Sequence, residues 1–185
     1  ERKFSAIPLG KIFMNDKENS FDQTQYLTFH LAGEEYAVGI LQVKEIITYG
    51  TLTKVPHTPP SIRGVINLRG NVVPVVDLGL KFGLAASPVT DRTCIVIVET
   101  NINDAHMVMG IVADSVSQVI TMSGDSILPA PSFGTQVRMD FLRGMGKSGD
   151  KFVLVLDIDK VLGADDLAPV TAGLNAREST AEAGL

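Results

Sequence analysis

The sequence predicts an all-β protein with short helices, built from two copies of one small barrel-forming module packed against each other. Three observations carry that prediction. Val, Ile and Thr supply 47 of the 185 residues, Tyr and Phe add 11, and 17 Gly and 9 Pro punctuate them. β-Branched and aromatic side chains suit the pleated surface of strands, while Gly and Pro suit tight turns. Apolar and polar residues alternate over short runs separated by turn signals. Finally, a set of motifs recurs in the same order in both halves. The apolar fraction of 45% is ample for a core and excludes wholesale disorder.

From Tyr26 onward, Leu27, Phe29 and Leu31 fall on one face and Thr28 and His30 on the other, the period-two pattern of a half-buried strand. Gly33-Glu34-Glu35 reads as a turn and residues 36–38 as the returning strand of a hairpin. Residues 43–48 and 64–68 are the next strands, and Gly70-Asn71 turns the chain into a strand over 72–77. Beyond Pro88 come strands over 93–99, 107–113 and 116–122. Gly144 to Gly149 reads as a β-turn, followed by a last strand over 152–157 and a helical stretch over 158–162.

Residues 63–83 match residues 143–163 at an offset of 80: Arg63/Arg143, Gly64/Gly144, Val73/Val153, Val75/Val155, Asp77/Asp157 and Gly83/Gly163 are identical. Residues 43–56 match residues 116–129 at an offset of 73, through Val43/Val116, Ile47/Ile120, Thr48/Thr121 and Pro56/Pro129. Glu45/Gln118 and Ile46/Val119 are near matches. The change of offset implies a seven-residue insertion between Pro129 and Arg143, where Ser132-Phe-Gly134 reads as a loop. One copy alone buries little core, so the two are expected to pack together. Closure into barrels removes exposed strand edges. Asp77 and Asp157 each end a strand before an apolar helical turn, the place where a carboxylate caps a helix by accepting from its free amides.

Several function classes are excluded. A net charge of −5 and a pI near 5.1 oppose the broad basic surface of a nonspecific nucleic-acid or anionic-membrane binder. Cys94 is the single cysteine, so there is no internal disulfide, and no Cys/His cluster has zinc spacing. No cofactor is expected. No run approaches the ~20 apolar residues of a membrane span, and the apolar stretch behind Arg2 and Lys3 is short and broken by Pro8, unlike a secretory core. Gly144-Met-Gly-Lys-Ser-Gly149 invites comparison with a phosphate loop. Phe141 stands where that motif needs its first glycine, and a strand follows instead of a helix. A nucleotide-handling enzyme is therefore the weaker alternative. His30, His57 and His106 have no Ser, Cys or acid in a triad pattern, and no catalytic residue or small-molecule substrate is assigned.

Two positions stand out because the copies differ there. The run Asn67-Leu-Arg-Gly70 gives way to Lys147-Ser-Gly-Asp150, so Arg69 has no counterpart, and Glu45 becomes Gln118. A charge carried by one copy only is not demanded by the shared fold, which makes it a candidate for function.

Val43-Lys-Glu-Ile46, Ile62-Arg-Gly-Val-Ile-Asn-Leu-Arg-Gly-Asn71, Val72-Val-Pro-Val-Val-Asp77, Gly110-Ile-Val-Ala-Asp114, Leu128-Pro-Ala-Pro131 and Leu154-Val-Leu-Asp157 follow one another along the chain. In that order they resemble the CheW family, the coupling proteins of bacterial chemotaxis signalling, over about Gln25 to Leu162. The resemblance implies two five-stranded, SH3-like barrels and a non-catalytic adaptor. Such an adaptor bridges the cytoplasmic tips of chemoreceptors (methyl-accepting chemotaxis proteins) to the regulatory domain of the histidine kinase CheA. It would be cytoplasmic and recruited to membrane-associated receptor arrays. By the same carry-over, Val43, Glu45, Arg69 and Gly70 line the receptor-binding face near the groove between barrels, with Arg63, Cys94 and Val116 at its border. The kinase would meet an apolar barrel end. A parallel chemosensory system, governing twitching motility or second-messenger output, is the nearest alternative. The domain is expected over residues 25–163, with subdomains near 26–90 and 91–163 whose terminal strands are open to exchange. Residues 1–24 read as an N-terminal extension, flexible in part or vector-derived, and residues 164–185 as a disordered tail.

Overall fold

Strand segments such as residues 26–29 and 94–98 are buried on both faces. The computed structural model describes residues 6–7, 23–102, 104–130 and 138–163. The expectations for residues 1–5 and 8–22, for Ser132-Phe-Gly134 and for the tail from Ala164 lie outside those residues. The strands are β1 (Ala6–Ile7), β2 (Gln23–Leu31), β3 (Glu34–Gly39), β4 (Val43–Thr48), β5 (Ile62–Leu68), β6 (Asn71–Val76), β7 (Cys94–Ile102), β8 (Ala105–Ala113), β9 (Ser115–Ser123), β10 (Leu142–Ser148) and β11 (Lys151–Leu156). Two one-turn helices, α1 (Leu78–Lys81) and α2 (Ile158–Val161), follow β6 and β11.

The strands form two sheets, ordered β1-β4-β7-β8-β6-β5 and β10-β11-β3-β2-β9. Each curls until the chain beyond one edge strand meets the other edge: Thr53, after β4, bridges Val65, and Leu128, after β9, bridges Met145. The result is two five-stranded, SH3-like barrels, the first with β1 added to the outer edge of β4. Membership interleaves along the chain. The first barrel draws its five strands from residues 43–113 and the second from residues 23–39 and 115–156, so neither is confined to residues 26–90 or 91–163. The connections dictate this. Asp114 alone joins β8 to β9, and one 3-10 turn, Ile40–Gln42, joins β3 to β4. Each link carries the chain straight from one sheet into the other, so the β2–β3 hairpin pairs with the second copy's strands and β7–β8 with the first's.

Alternation along β7 shows how the core divides. Ile95 and Ile97 point into the first barrel with Ile47, Ile66, Val73, Val75 and Val112. Val96 and Val98 point the other way, into a core shared by both sheets with Leu27, Phe29, Val38, Ile46 and Ile111. Leu78, Ile158, Val161 and Leu162 of the helical turns seal that shared core. The second barrel has a smaller interior of Tyr26, Ala37, Met122, Val153 and Val155.

The repeated Arg-Gly and Asp motifs acquire physical roles. A β-bulge falls between Ile62 and Gly64 and another between Leu142 and Gly144. At each bulge the barrel-closing backbone comes so near that a Cβ would lie 2.5 Å from a carbonyl oxygen, of Thr53 or of Leu128. Arg63 reaches Asp77 at 3.8 Å and Arg143 reaches Asp157 at 4.0 Å.

Three expectations need correction. Gly144 to Ser148 belongs to strand β10, and the turn lies at Gly149 and Asp150; of the polar residues that suggest a turn, Lys147 is exposed and Ser148 half-buried on that strand. Asp77 caps α1, its Oδ1 accepting from the Leu80 amide at 3.0 Å. Asp157 holds the same position before α2 without a capping hydrogen bond, because its Oδ2 faces Lys160 at 3.4 Å and Arg143. Finally, Thr53 and Leu128 are the equivalent bridging residues, so part of the insertion precedes Leu128, within the turn at Gly124–Ser126. Pro56 and Pro129 are therefore not counterparts.

Candidate functional site

The β5–β6 hairpin turns through Arg69 and Gly70, with φ of 52° and 89°. Two consecutive left-handed residues give the mirror-image turn that matches strand twist, and the Asn67 Oδ1 accepts from the Gly70 amide at 2.8 Å. The second copy places Gly149, φ 60°, where the first has Arg69. Glycine adopts this conformation freely, whereas a side chain there costs about 1–2 kcal/mol. The first barrel thus holds an arginine where its twin has glycine; Ala32, His57 and Asp104 also take positive φ, so what sets Arg69 apart is the partner its side chain finds.

That turn aims the guanidinium at β4. The Arg69 Nη1 donates to Glu45 Oε1 at 2.6 Å and Nη2 to Oε2 at 2.9 Å, a fork-on-fork pair. Hydrogen bonding to Glu45, with its charge, holds the Arg69 guanidinium protonated even more firmly than usual. The pair spans the barrel's mouth beside a depression of about 260 Å³. Val73 and Ile97 form its apolar floor, and Lys44–Glu99, at 2.6 Å, forms a second ion pair on its rim. The Lys44 hydrogen bond keeps the Glu99 carboxyl below its ordinary range. An apolar floor under a charged rim suits an inserted side chain whose neighbours carry charge. At the corresponding places in the second barrel stand Gln118 and Gly149, which cannot form such a pair.

The predicted site residues do not all meet. Glu45, Arg69 and Gly70 come together at the mouth. Val43 does not join them, although two residues along a regular strand would share a face. A β-bulge between Val43 and Glu45 sets Val43 opposite Val98 and Glu45 opposite Ile97. Val43 therefore packs against the shared core while Glu45 lines the depression beside Arg69. Arg63 lies six residues from Arg69 on β5, roughly 20 Å away at a strand's rise. It faces a separate groove lined by Tyr49, Val55 and Ile62. Cys94 pairs with Thr48 at the far end of β4, only 3% exposed in the shared core. Burial pushes its thiol up to about 11, against the pull of a hydrogen bond from the Val116 backbone. Val116 packs on the same core, so Cys94 and Val116 are neighbours there.

Sequence reasoning missed Lys44, Glu99 and Val108 beside this site. Lys44 aligns with Ser117 and so carries the same one-copy charge signal as Glu45, which could have found it. Glu99 lies outside the repeat, and only the cross-strand geometry of β4 and β7 brings it to Lys44. The glycine-rich run at residues 144–149 offers no phosphate cradle: from Gly144 to Ser148 it is laddered to β11, with Gly146 opposite Val153 and Lys147 opposite Phe152. Among the described residues no group of His, Cys, Asp and Glu is placed to hold a metal ion, and no helix is long and apolar enough to cross a membrane.

Comparison with known proteins bears on the chain as a whole. The model of the CheW-like domain matches residues 25–166. The chemotaxis protein CheW of Klebsiella aerogenes is 36% identical over 146 residues, covering 79% of this chain and 86% of that protein. The protein of the same name from Bacillus subtilis is 34% identical over 137 residues, covering 74% and 85%. Among solved structures, the scaffolding protein TtCheW from Thermoanaerobacter tengcongensis superposes with a TM-score of 0.67 at 33% identity. That match covers 75% of this chain and 91% of the other.

Proposed function

This chain belongs to the CheW-like domain family, and from that membership we propose that it is a non-catalytic scaffold of chemotaxis signalling that couples chemoreceptor tips to the histidine kinase CheA. One observation supports placing the receptor face at the first barrel's mouth. Only this barrel carries the Glu45–Arg69 fork, and it does so by holding a non-glycine residue at a left-handed turn position. The receptor tip, a helical hairpin, would insert an apolar side chain over Val73 and Ile97 while Arg69 and Glu45 set its register. Val43, Cys94 and Val116 pack on the shared core and Arg63 lies at a separate groove, so none of them is placed on this face. The kinase regulatory domain would meet an apolar barrel end elsewhere. In the cell the protein would be cytoplasmic and gathered at receptor arrays by these contacts.

The test is a titration calorimetry series with a soluble receptor-tip fragment and, separately, the CheA regulatory domain. Both should bind the wild-type chain. R69E should lose receptor binding while keeping kinase binding and its melting temperature. Equal loss of both partners, or wild-type receptor binding by R69E, would remove Arg69 from the receptor face.

A further inference from the structure

We propose that the pairing of Ala6–Ile7 with the outer edge of β4 is a displaceable strap that competes in cis with the partner docking beside Glu45 and Arg69. The inference rests on the reading of that mouth as the receptor face. β4 has two neighbours, β7 on the inside and β1 on the outside. An edge strand left bare presents unpaired amides and carbonyls that invite another strand. The N-terminal segment meets that need with only two residues, Ala6 opposite Ile47 and Ile7 opposite Ile46.

The register matters. The pairing ends one place short of Glu45, and the next residue in sequence is Pro8, which has no amide to give a ladder. The described part of the strap therefore reaches to within one place of Glu45, at the edge of the site. The module does not need it: β9, the counterpart of β4, ends its sheet with no strand beyond it among the described residues. β1 also lies outside the span that matches the family, residues 25–166. Fifteen residues separate Ile7 from Gln23, enough chain for β1 to leave without moving β2. A two-residue ladder opens readily. If the strap is closed about 90% of the time, apparent affinity for a partner that needs it open falls about tenfold.

The experiment uses the full chain in three forms: wild type, the double variant A6P/I7P, which removes both β1 amides at constant charge, and A6V, which favours the strand. Hydrogen exchange is followed over residues 43–48, and receptor-tip binding by calorimetry. The proline variant should exchange faster at 43–48 and bind roughly three- to tenfold tighter, and A6V should shift both in the opposite direction. Unchanged exchange in A6P/I7P, or unchanged or weaker binding, overturns the strap. R69E is run in parallel. Wild-type binding by R69E overturns the assignment of the face itself, whereas loss in R69E with no gain in A6P/I7P overturns the strap alone.

Discussion

Gly64→Ala should be among the most damaging single-methyl changes in this protein. An added Cβ would sit 2.5 Å from the Thr53 carbonyl oxygen and 3.0 Å from its carbon, both backbone atoms, at a φ of +143°. The left-handed conformation costs a side chain about 1–3 kcal/mol. Relief of the overlap must also push Thr53 away from Val65. Their two closing hydrogen bonds, 3.0 and 2.8 Å long, are worth about 0.5–1.5 kcal/mol each. The expected loss is about 2–6 kcal/mol, a large share of the ~5–15 kcal/mol that holds a typical domain folded. Urea denaturation followed by circular dichroism measures it as a drop in midpoint at constant slope. Gly144→Ala, which meets Leu128 and Ile127 at 2.5 and 2.6 Å, should rank beside it. Gly33→Ala, at φ +87° in open space, should cost about 1–2 kcal/mol, and Gly124→Ala, with neither constraint, close to nothing. A loss below about 1 kcal/mol for Gly64→Ala, or a ranking that puts Gly33 above it, would refute the closing-contact argument.

Other consequences can be checked in the same preparations. R69E should weaken receptor-tip binding more than tenfold by calorimetry, with the melting temperature unchanged. Asp77→Ala removes a cap and leaves Arg63 without its partner, so it should cost about 1–2 kcal/mol by denaturant melt. Asp157→Ala, which removes no cap, should cost less than Asp77→Ala. Cys94 keeps its proton in the folded chain up to about 11, while the unfolded chain loses it above ~8.5. Its contribution to stability is therefore full below the unfolded value and lost as pH rises through the folded one. Cys94→Ala should flatten the decline in denaturant midpoint over that window, and the native thiol should react with disulfide reagents only as fast as the protein opens. Fragments 1–90 and 91–185 should each lack a cooperative transition and regain one on mixing, because β4 needs β7 and β9 needs β2.

Much of this protein is written locally. Period-two alternation sets which residues of β2, β5 and β7 face inward, because side-chain direction in a strand follows from sequence parity alone. The duplicated Arg-Gly, V-x-V-x-D and Gly motifs mark two copies of one module, and Glu45 and Arg69 stand out as charges that only one copy carries. Those features needed no partner in space to be read.

What the sequence could not determine depends on pairings between distant segments. The exchange of hairpins follows from the one-residue link at Asp114 and the single turn at Ile40–Gln42, whose effect appears only when both sheets exist. The bulge at Val43–Glu45 reverses parity for one residue and parts two side chains that local spacing places on one face. The loss of the Asp157 cap comes from Lys160 and Arg143 drawing the carboxylate elsewhere, and the edge of β4 gains β1 from residues outside the repeat. Strand identity and the choice of Glu45 and Arg69 were thus fixed by sequence, since side-chain period and repeat differences are local properties. Which strands share a barrel, and which side chains meet at its mouth, were decided by tertiary structure, since register and closure exist only between segments far apart in the chain.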